Sequence, residues 1–218
     1  NGIGEPVVAW RNPNIEKETK ITLPATRDNF SDEKLGLQWQ FNHNPVNDAW
    51  SLTERKGELT CHALKSKNFW FARNTLTQKT MGYAGIATVK MEWNNKDLVD
   101  GQHCGLACMG NHNWTIGIKQ ENGKRYVYLA KGDELVQQKP FKGNAIYLRM
   151  DADATANEYK LLYSSDNKLF STLGDKFPME FGHWKGVHIG LYCYNVAENA
   201  GQVSFDDFTY THDGPKMN

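Results

Sequence analysis

The chain has 218 residues, 25 basic and 25 acidic side chains, a formal net charge of zero, and 7 Trp, 9 Tyr and 10 Phe among its 39% hydrophobic residues. A folded chain of this length makes one or two domains and buries roughly 70% of its extended surface, which is enough for a core without disulfides. The balanced charge argues against a nucleic-acid partner, and the lack of any apolar stretch near ~18 residues argues against a membrane span.

The first segment, residues 1–27, differs in composition from the rest of the chain. It contains three of the seven prolines and a polar run at 14–20, which predict an extended linker or strap. The chain begins with neither a Met nor the basic and apolar regions of a signal peptide. We therefore expect a mature product or an excised piece, and its localisation (periplasmic, extracellular or cytoplasmic) stays open.

Short β-strands follow one another beyond this segment. Alternation of apolar and polar side chains predicts strands at 86–93, 105–110, 114–119, 126–129, 146–150, 159–163, 187–192 and 203–208. Turn signals such as Asn122-Gly123 separate them, and no window of 12 residues carries a helical apolar stripe. The pattern predicts an all-β, antiparallel two-sheet β-sandwich of the jelly-roll type over 28–212, with its first and last strands side by side and a tail at 213–218.

The tryptophans divide into core candidates and surface candidates. Trp39, Trp93 and Trp114 lie in or beside alternating segments, so we expect them in the core. Trp184 follows His183 in a Gly-flanked stretch just before a strand, which predicts an exposed loop. An exposed indole can stack on the C–H face of a sugar ring. We therefore predict carbohydrate contacts for Trp184 and His183, and also for Trp70.

The four cysteines offer two interpretations. Cys104 and Cys108, with His103 and His112 nearby, have the residue types of a metal site. Positions four apart on a strand lie ~13 Å apart, however, which is too far to share one zinc ion. We therefore predict buried free thiols that pack as small hydrophobic groups.

Two groups of acidic residues have side chains of the kind found in functional sites. Asp151 and Asp153 lie on one strand face about 6.6 Å apart, a spacing that suits an inverting glycosidase, but the residues after them favour a solvated strand end. Asp206 and Asp207 end the last strand and, with Asp28 near the first, have the oxygen ligands of a structural Ca²⁺ site. Solvated acids are the alternative there. No cofactor is required, and no catalytic residue is assigned.

Several ordered motifs resemble one family. They lie at 28–45, 49–59, 72–80, 184–192 and 205–208. Together they resemble the C-terminal concanavalin A-like sandwich of glycoside hydrolase family 43 β-xylosidases and arabinofuranosidases, also classed as carbohydrate-binding module family 91. The resemblance extends over residues 28–212.

The resemblance implies an accessory role. Members carry an N-terminal five-bladed catalytic propeller that this sequence lacks, and their sandwich packs on that propeller. An aromatic from the loop before the Gly-Leu strand reaches toward the substrate pocket, and the matching loop here is 183–186. Members often have Phe where this sequence has Trp184. Arg73 and Gln78 belong to a motif that fits the family, where they would contact carbohydrate, contact the propeller or support the fold.

Four functions remain open from the sequence. The leading one is an accessory, carbohydrate-binding sandwich of a hydrolase that acts on xylan or arabinoxylan, with the chain alone not expected to catalyse. The others are a stand-alone lectin-like protein, a jelly-roll hydrolase in its own right, and a purely structural module whose partner is its own propeller. In the first case the expected partners are a xylan-type polysaccharide and the propeller.

Overall fold

The computed structural model describes residue 9, residues 23–182 and residues 185–214, which contain seventeen strands and two short 3-10 helices. The strands are β1 (Arg27–Asp28), β2 (Gln40–Phe41), β3 (Trp50–Ser51), β4 (Leu59–His62), β5 (Leu64–Lys65), β6 (Leu76–Lys79), β7 (Ala84–Glu92), β8 (Gln102–Met109), β9 (Trp114–Glu121), β10 (Lys124–Lys131), β11 (Glu134–Pro140), β12 (Ala145–Asp153), β13 (Glu158–Ser164), β14 (Ser171–Thr172), β15 (Phe177–Pro178), β16 (His188–Asn195) and β17 (Gln202–His212). The 3-10 helices are Asn47–Ala49 and Phe69–Phe71. No helix among these residues is long and apolar enough to cross a membrane.

The strands form two sheets that pack face to face. Sheet A has the order β14-β13-β12-β7-β17-β4-β3, with β1 paired to β17 and β15 paired to β13. Sheet B has the order β11-β10-β9-β8-β16-β6-β2, with β5 added to β16 in the parallel direction. The other strand pairs of the described chain are antiparallel, so the predicted two-sheet antiparallel sandwich is confirmed.

Alternation along the strands places apolar side chains between the sheets. On β9, for example, Ile116 and Ile118 are fully buried in the central cluster. Trp39, Trp93 and Trp114 are 8%, 3% and 7% exposed, so the prediction that they are core residues is confirmed.

The two ends of the sandwich meet on sheet A. Arg27 pairs with Thr209 and Asp28 pairs with Phe208, so the first and last strands are neighbours, as predicted. The Asp28 carboxylate then ties β1 to the chain that follows it. It accepts hydrogen bonds from the backbone N–H of Phe30 at 2.8 Å and from the indole Nε1 of Trp39 at 2.7 Å.

A second hydrophobic cluster lies on the outer face of sheet B. Phe69, from the second 3-10 helix, packs edge-on against Tyr192 of β16 with ring centroids 5.1 Å apart. Under this contact the hydroxyls of Tyr192 and Tyr128 are hydrogen-bonded at 2.7 Å. The other members of the cluster are Ala72, Ala107, Met109, Ala130 and Tyr194. As a result, every residue of β16 is buried, on both faces of the strand.

Three of the described strands with four or more residues were not predicted from the sequence. β11 is an edge strand whose side chains are exposed or half-buried on both faces, so it carries no apolar alternation. β4 and β6 have only four residues each, and consecutive residues on both are buried on opposite faces. Neither pattern resembles a half-buried strand. The predicted linker, residues 1–27, lies mostly outside the described residues.

The Asp28 hydrogen bonds predict a specific loss of stability. Asp28→Ala leaves the Trp39 indole N–H and the Phe30 N–H without their acceptor, so we expect the free energy of unfolding to fall by about 2 kcal/mol. Urea denaturation followed by Trp fluorescence measures the change. Asp32→Ala, at an exposed acid four positions later, is the matched control and should change stability by no more than about 0.5 kcal/mol.

The packing of Phe69 on sheet B predicts that substitutions at two neighbouring aromatics have different effects on stability. Phe69→Ala empties a site that is 3% exposed, and we expect a loss of about 3 kcal/mol in the free energy of unfolding. Phe71→Ala, on the same 3-10 helix but 57% exposed, should cost no more than about 0.5 kcal/mol. Equal losses for both variants in urea denaturation would show that Phe69 is not the side chain that seals the sheet.

Candidate functional site

The Phe69 cover occupies the middle of the outer face of sheet B and leaves a hollow on either side of it. The first hollow, here named the Trp70 groove, has a volume of about 320 Å³. It is lined by Asn42, Trp70, Met109, Gly110, Asn113, Gly182, Lys185, Gly186 and His188. These residues come from the stretch after β2, from the second 3-10 helix, from β8 and the loop after it, and from the loop before β16 together with the first residue of β16.

Three exposed aromatics lie in or beside this groove. Trp70 is 43% exposed and lines it, its neighbour Phe71 is 57% exposed, and Phe181, next to the groove residue Gly182, is 69% exposed. Large apolar side chains left open to water at a concave site are a sign of a ligand or partner surface. An indole at the edge of such a groove offers the flat apolar face on which sugar C–H groups stack.

Hydrogen bonds from the loop at 42–46 hold Trp70 in place. The ring nitrogen Nε2 of His43 donates to the backbone oxygen of Trp70 at 2.7 Å. Arg73 donates from Nε and from a terminal nitrogen to the backbone oxygen of Asn44, at 2.8 and 2.5 Å. The side-chain amide of Asn74 also bonds both the N–H and the carbonyl of Val46. The contacts of Arg73 are therefore those of a fold-supporting residue that joins two loops.

Close backbone approach shapes the other wall of the groove. A Cβ on Gly110 would lie 2.2 Å from the backbone oxygen of Glu180, and one on Gly182 would lie 2.7 Å from that of Gly186. Only glycine fits at these two positions, because a side chain would push the loop away from β8. The loop is also held by a hydrogen bond between His112 and Glu180, which lowers the pKa of the Glu180 carboxyl.

His183 and Trp184, the loop residues predicted to contact carbohydrate, lie outside the described residues. Their neighbours Gly182 and Lys185 both line the Trp70 groove. The structure therefore brings Trp70 beside the stretch that carries those two candidates, although they are about 110 positions apart in sequence.

His188 is a groove residue for which sequence analysis gave no signal. It is the first residue of β16, 5% exposed, and burial lowers the pKa of its imidazole. A neutral imidazole at the wall of the groove can donate and accept hydrogen bonds. The sequence shows it only as one polar residue in an otherwise apolar strand.

Gln78 does not share this surface. It lies on β6 opposite Ile189 and points to the inner face of sheet B, where its side chain is 2% exposed. Its Nε2 has no hydrogen-bond partner among the described residues. Of the three predicted carbohydrate-binding residues that the structure describes, Trp70 lines the groove, whereas Arg73 and Gln78 do not.

The three acids weighed as Ca²⁺ ligands have other partners. Asp207 pairs with Arg27 at 3.0 Å, and Asp206 accepts a hydrogen bond from the N–H of Asp207 at a bulge in β17. Asp28 is engaged by Phe30 and Trp39, as described above. Within the described part of the chain, no three His, Cys, Asp or Glu side chains are grouped to hold a metal ion.

The cysteines are buried free thiols, as predicted. Burial raises the pKa of all four thiols, to about 12 for Cys193. His112 is engaged with Glu180 and does not approach them as a ligand group. Asp153, weighed above as a catalytic acid, accepts hydrogen bonds from the N–H groups of Thr155 and Ala156, both at 2.9 Å, and so closes the turn after β12.

The chain is similar in sequence and structure to several known proteins. The β-xylosidase of Formosa agariphila is 35% identical over 240 residues, which cover 99% of this chain and 40% of the relative. The non-reducing end α-L-arabinofuranosidase of Bacteroides ovatus is 26% identical over 213 residues, covering 91% and 39%. A solved bifunctional GH43-CE protein of Bacteroides eggerthii superposes with a TM-score of 0.79 at 27% identity, covering 88% of this chain and 26% of that protein.

The chain spans about two fifths of the length of these curated relatives. The family model described as the β-xylosidase C-terminal concanavalin A-like domain matches residues 27–211, which include all but the last residue of the strands from β1 to β17. The chain therefore belongs to the family of C-terminal concanavalin A-like domains of glycoside hydrolase family 43 β-xylosidases.

Proposed function

We propose that this sandwich is the accessory part of a hydrolase that acts on xylan or arabinoxylan, where it packs on a catalytic propeller and places the Trp70 groove at the rim of the substrate pocket. The observation that carries the proposal is the groove itself, with Trp70 held in an exposed position beside the 182–186 loop. The names of the relatives, a β-xylosidase and an arabinofuranosidase, support the choice of xylan-type sugars.

The exposed aromatics support two kinds of contact at one surface. Trp70 faces the groove, where a sugar ring would stack, whereas Phe71 and Phe181 are more exposed and lie outside the lining. Apolar side chains of this kind are covered when a partner domain packs on them. In this proposal the propeller covers the two Phe side chains and leaves the groove open toward its own pocket.

Binding by the sandwich alone should be weak. A single indole platform with peripheral hydrogen bonds has to offset the ordering of a mobile polysaccharide, so we expect a dissociation constant near ~1 mM, or about 4 kcal/mol. A lectin-like protein would instead bind a carbohydrate other than xylan more tightly than it binds xylan. A hydrolase in its own right would release nitrophenol from nitrophenyl xyloside or arabinofuranoside without any partner domain, and we expect no release.

Trp70 should contribute substantially to the binding of xylan. In a titration of the chain with xylo-oligosaccharides, followed by NMR or in an affinity gel with soluble xylan, Trp70→Ala should weaken binding about tenfold because the stacking face is lost. Tyr83→Ala removes a 73% exposed aromatic that is not part of the groove and should leave the affinity unchanged. Tighter binding to mannan or glucan than to xylan would favour the lectin-like alternative.

Trp184 should affect turnover rather than folding. We join the chain to the catalytic domain of a β-xylosidase relative and compare Trp184→Ala with Trp184→Phe, the aromatic that members of the family often carry. The Ala variant should lose about tenfold in kcat/KM, corresponding to about 1.4 kcal/mol of transition-state contact, and the Phe variant should keep most of it. If the Ala variant has unchanged kinetics and an unchanged melting temperature, Trp184 does not contribute to the substrate pocket.

A further inference from the structure

The hollow on the other side of Phe69 has a different chemistry from the Trp70 groove. This second hollow, here named the outer-sheet cavity, has a volume of about 310 Å³. It is lined by Lys67, Asn68, His103, Thr115, Lys119, Tyr128, Ala130, Gly132, Asp133, Leu135, Tyr194 and Val196. Of the described residues that the sequence singled out, only His103 lies in it, and Trp70, Arg73, Gln78 and the three acids weighed as Ca²⁺ ligands do not.

A stacked aromatic pair forms one wall of the cavity. The imidazole of His103 on β8 lies parallel to the Tyr194 ring on β16, with centroids 5.1 Å apart and an angle of 8° between the planes. The edge of the Tyr128 ring meets the same imidazole at 5.2 Å. Three aromatic groups from three strands thus fix one another, so this wall is built before any ligand arrives.

This wall carries polar atoms that the described protein does not satisfy. His103 Nδ1 is buried without a hydrogen-bond partner among the described residues, which costs about 1–3 kcal/mol unless a water or a ligand compensates. Burial, together with the nearby Lys119, lowers the pKa of His103 to about 4, so the ring is neutral at physiological pH. The Tyr194 hydroxyl likewise has no partner among the described side chains.

Charged groups at the cavity balance one another. Lys119, only 11% exposed at its side chain, forms an ion pair with Glu121 at 3.2 Å. At the mouth, the Asp133 carboxylate accepts a hydrogen bond from the side chain of Asn68 at 2.8 Å, and Lys67 also lines the cavity. With His103 neutral, the cavity offers donors and acceptors in comparable numbers and no excess of either charge.

The size and rim of the cavity suit one small ring. Binding pockets for small molecules start at roughly 300 Å³, so this cavity is at the lower end of the range. Leu135 and Val196, each 45% exposed, add apolar contact at the rim. Phe69 covers Tyr192, which lies between the His188 end and the Tyr194 end of β16. A polysaccharide chain therefore cannot lie continuously along the sheet from one hollow to the other, because Phe69 lies between them.

We propose that the outer-sheet cavity is a second sugar site, which takes a single uncharged sugar ring such as a terminal unit or a side branch of a polysaccharide. A hydroxylated ring supplies both donors and acceptors to Lys119, Asp133 and Tyr194, and its C–H groups contact Leu135 and Val196. The choice of sugar as the ligand class rests on the proposed function, but the site itself is independent of the Trp70 groove.

An NMR titration of the chain with xylose, arabinose and glucuronic acid tests this site. Xylose or arabinose should shift the amide signals of Gly132, Tyr194 and Val196. Val196→Trp fills the rim and should weaken this binding about tenfold, whereas Leu169→Trp, at an 81% exposed position away from both hollows, should not change it. His103→Phe keeps a ring on Tyr194 but removes both ring nitrogens, and it should also weaken binding while the fold is retained.

The outcomes separate this site from the proposed function. If xylose or arabinose shifts the cavity signals of Trp70→Ala as much as those of the unmodified chain, the second site is independent of the groove. This conclusion holds even if xylan does not bind at the groove. The proposal of a second site is overturned if the cavity signals stay unchanged at saturating xylose and arabinose. It is also overturned if Val196→Trp responds to these sugars as strongly as the unmodified chain. Neither result bears on the proposal for the Trp70 groove. Tighter binding of glucuronic acid than of the neutral sugars overturns the assignment of an uncharged ring.

Discussion

The packing of Phe69 on Tyr192 determines what the outer face of sheet B can do. β16 is buried on both faces, and an antiparallel sheet normally leaves one face to water, so a cover from outside the sheet is needed. The cover is one short 3-10 helix, which seals the centre of the sheet and no more. Both hollows therefore follow from a single hydrophobic contact, one with Trp70 at its edge and one with Asn68 at its mouth.

Much of the fold could be predicted from the sequence because most strands are half-buried. The segment around β12 alternates between buried and half-buried residues along most of its length, so the strand could be predicted. β11 was missed because an edge strand exposed on both faces has no apolar period. The role of Phe69 was missed for a different reason. Nothing in the local pattern of three consecutive aromatics shows that the first one packs on a strand more than 100 residues later.

The candidate site was only partly predictable. Trp70 was predicted as a surface candidate, and the structure leaves it 43% exposed at the edge of a groove. The inward position of Gln78 could not be predicted, because a polar side chain in a family motif gives no indication of which sheet face it occupies. The outer-sheet cavity could not have been predicted. His103 and Tyr194 come from strands about 90 positions apart, and only the register of β8 with β16 brings them together.

The state of the four thiols has a practical consequence for spectroscopy. All four are buried, and a thiol with a raised pKa is almost entirely protonated near neutral pH and reacts slowly with maleimides or iodoacetamides. One new cysteine at a surface position could therefore be modified selectively, without first removing the native ones. A fluorophore or spin label attached in this way could report separately on the space above each hollow.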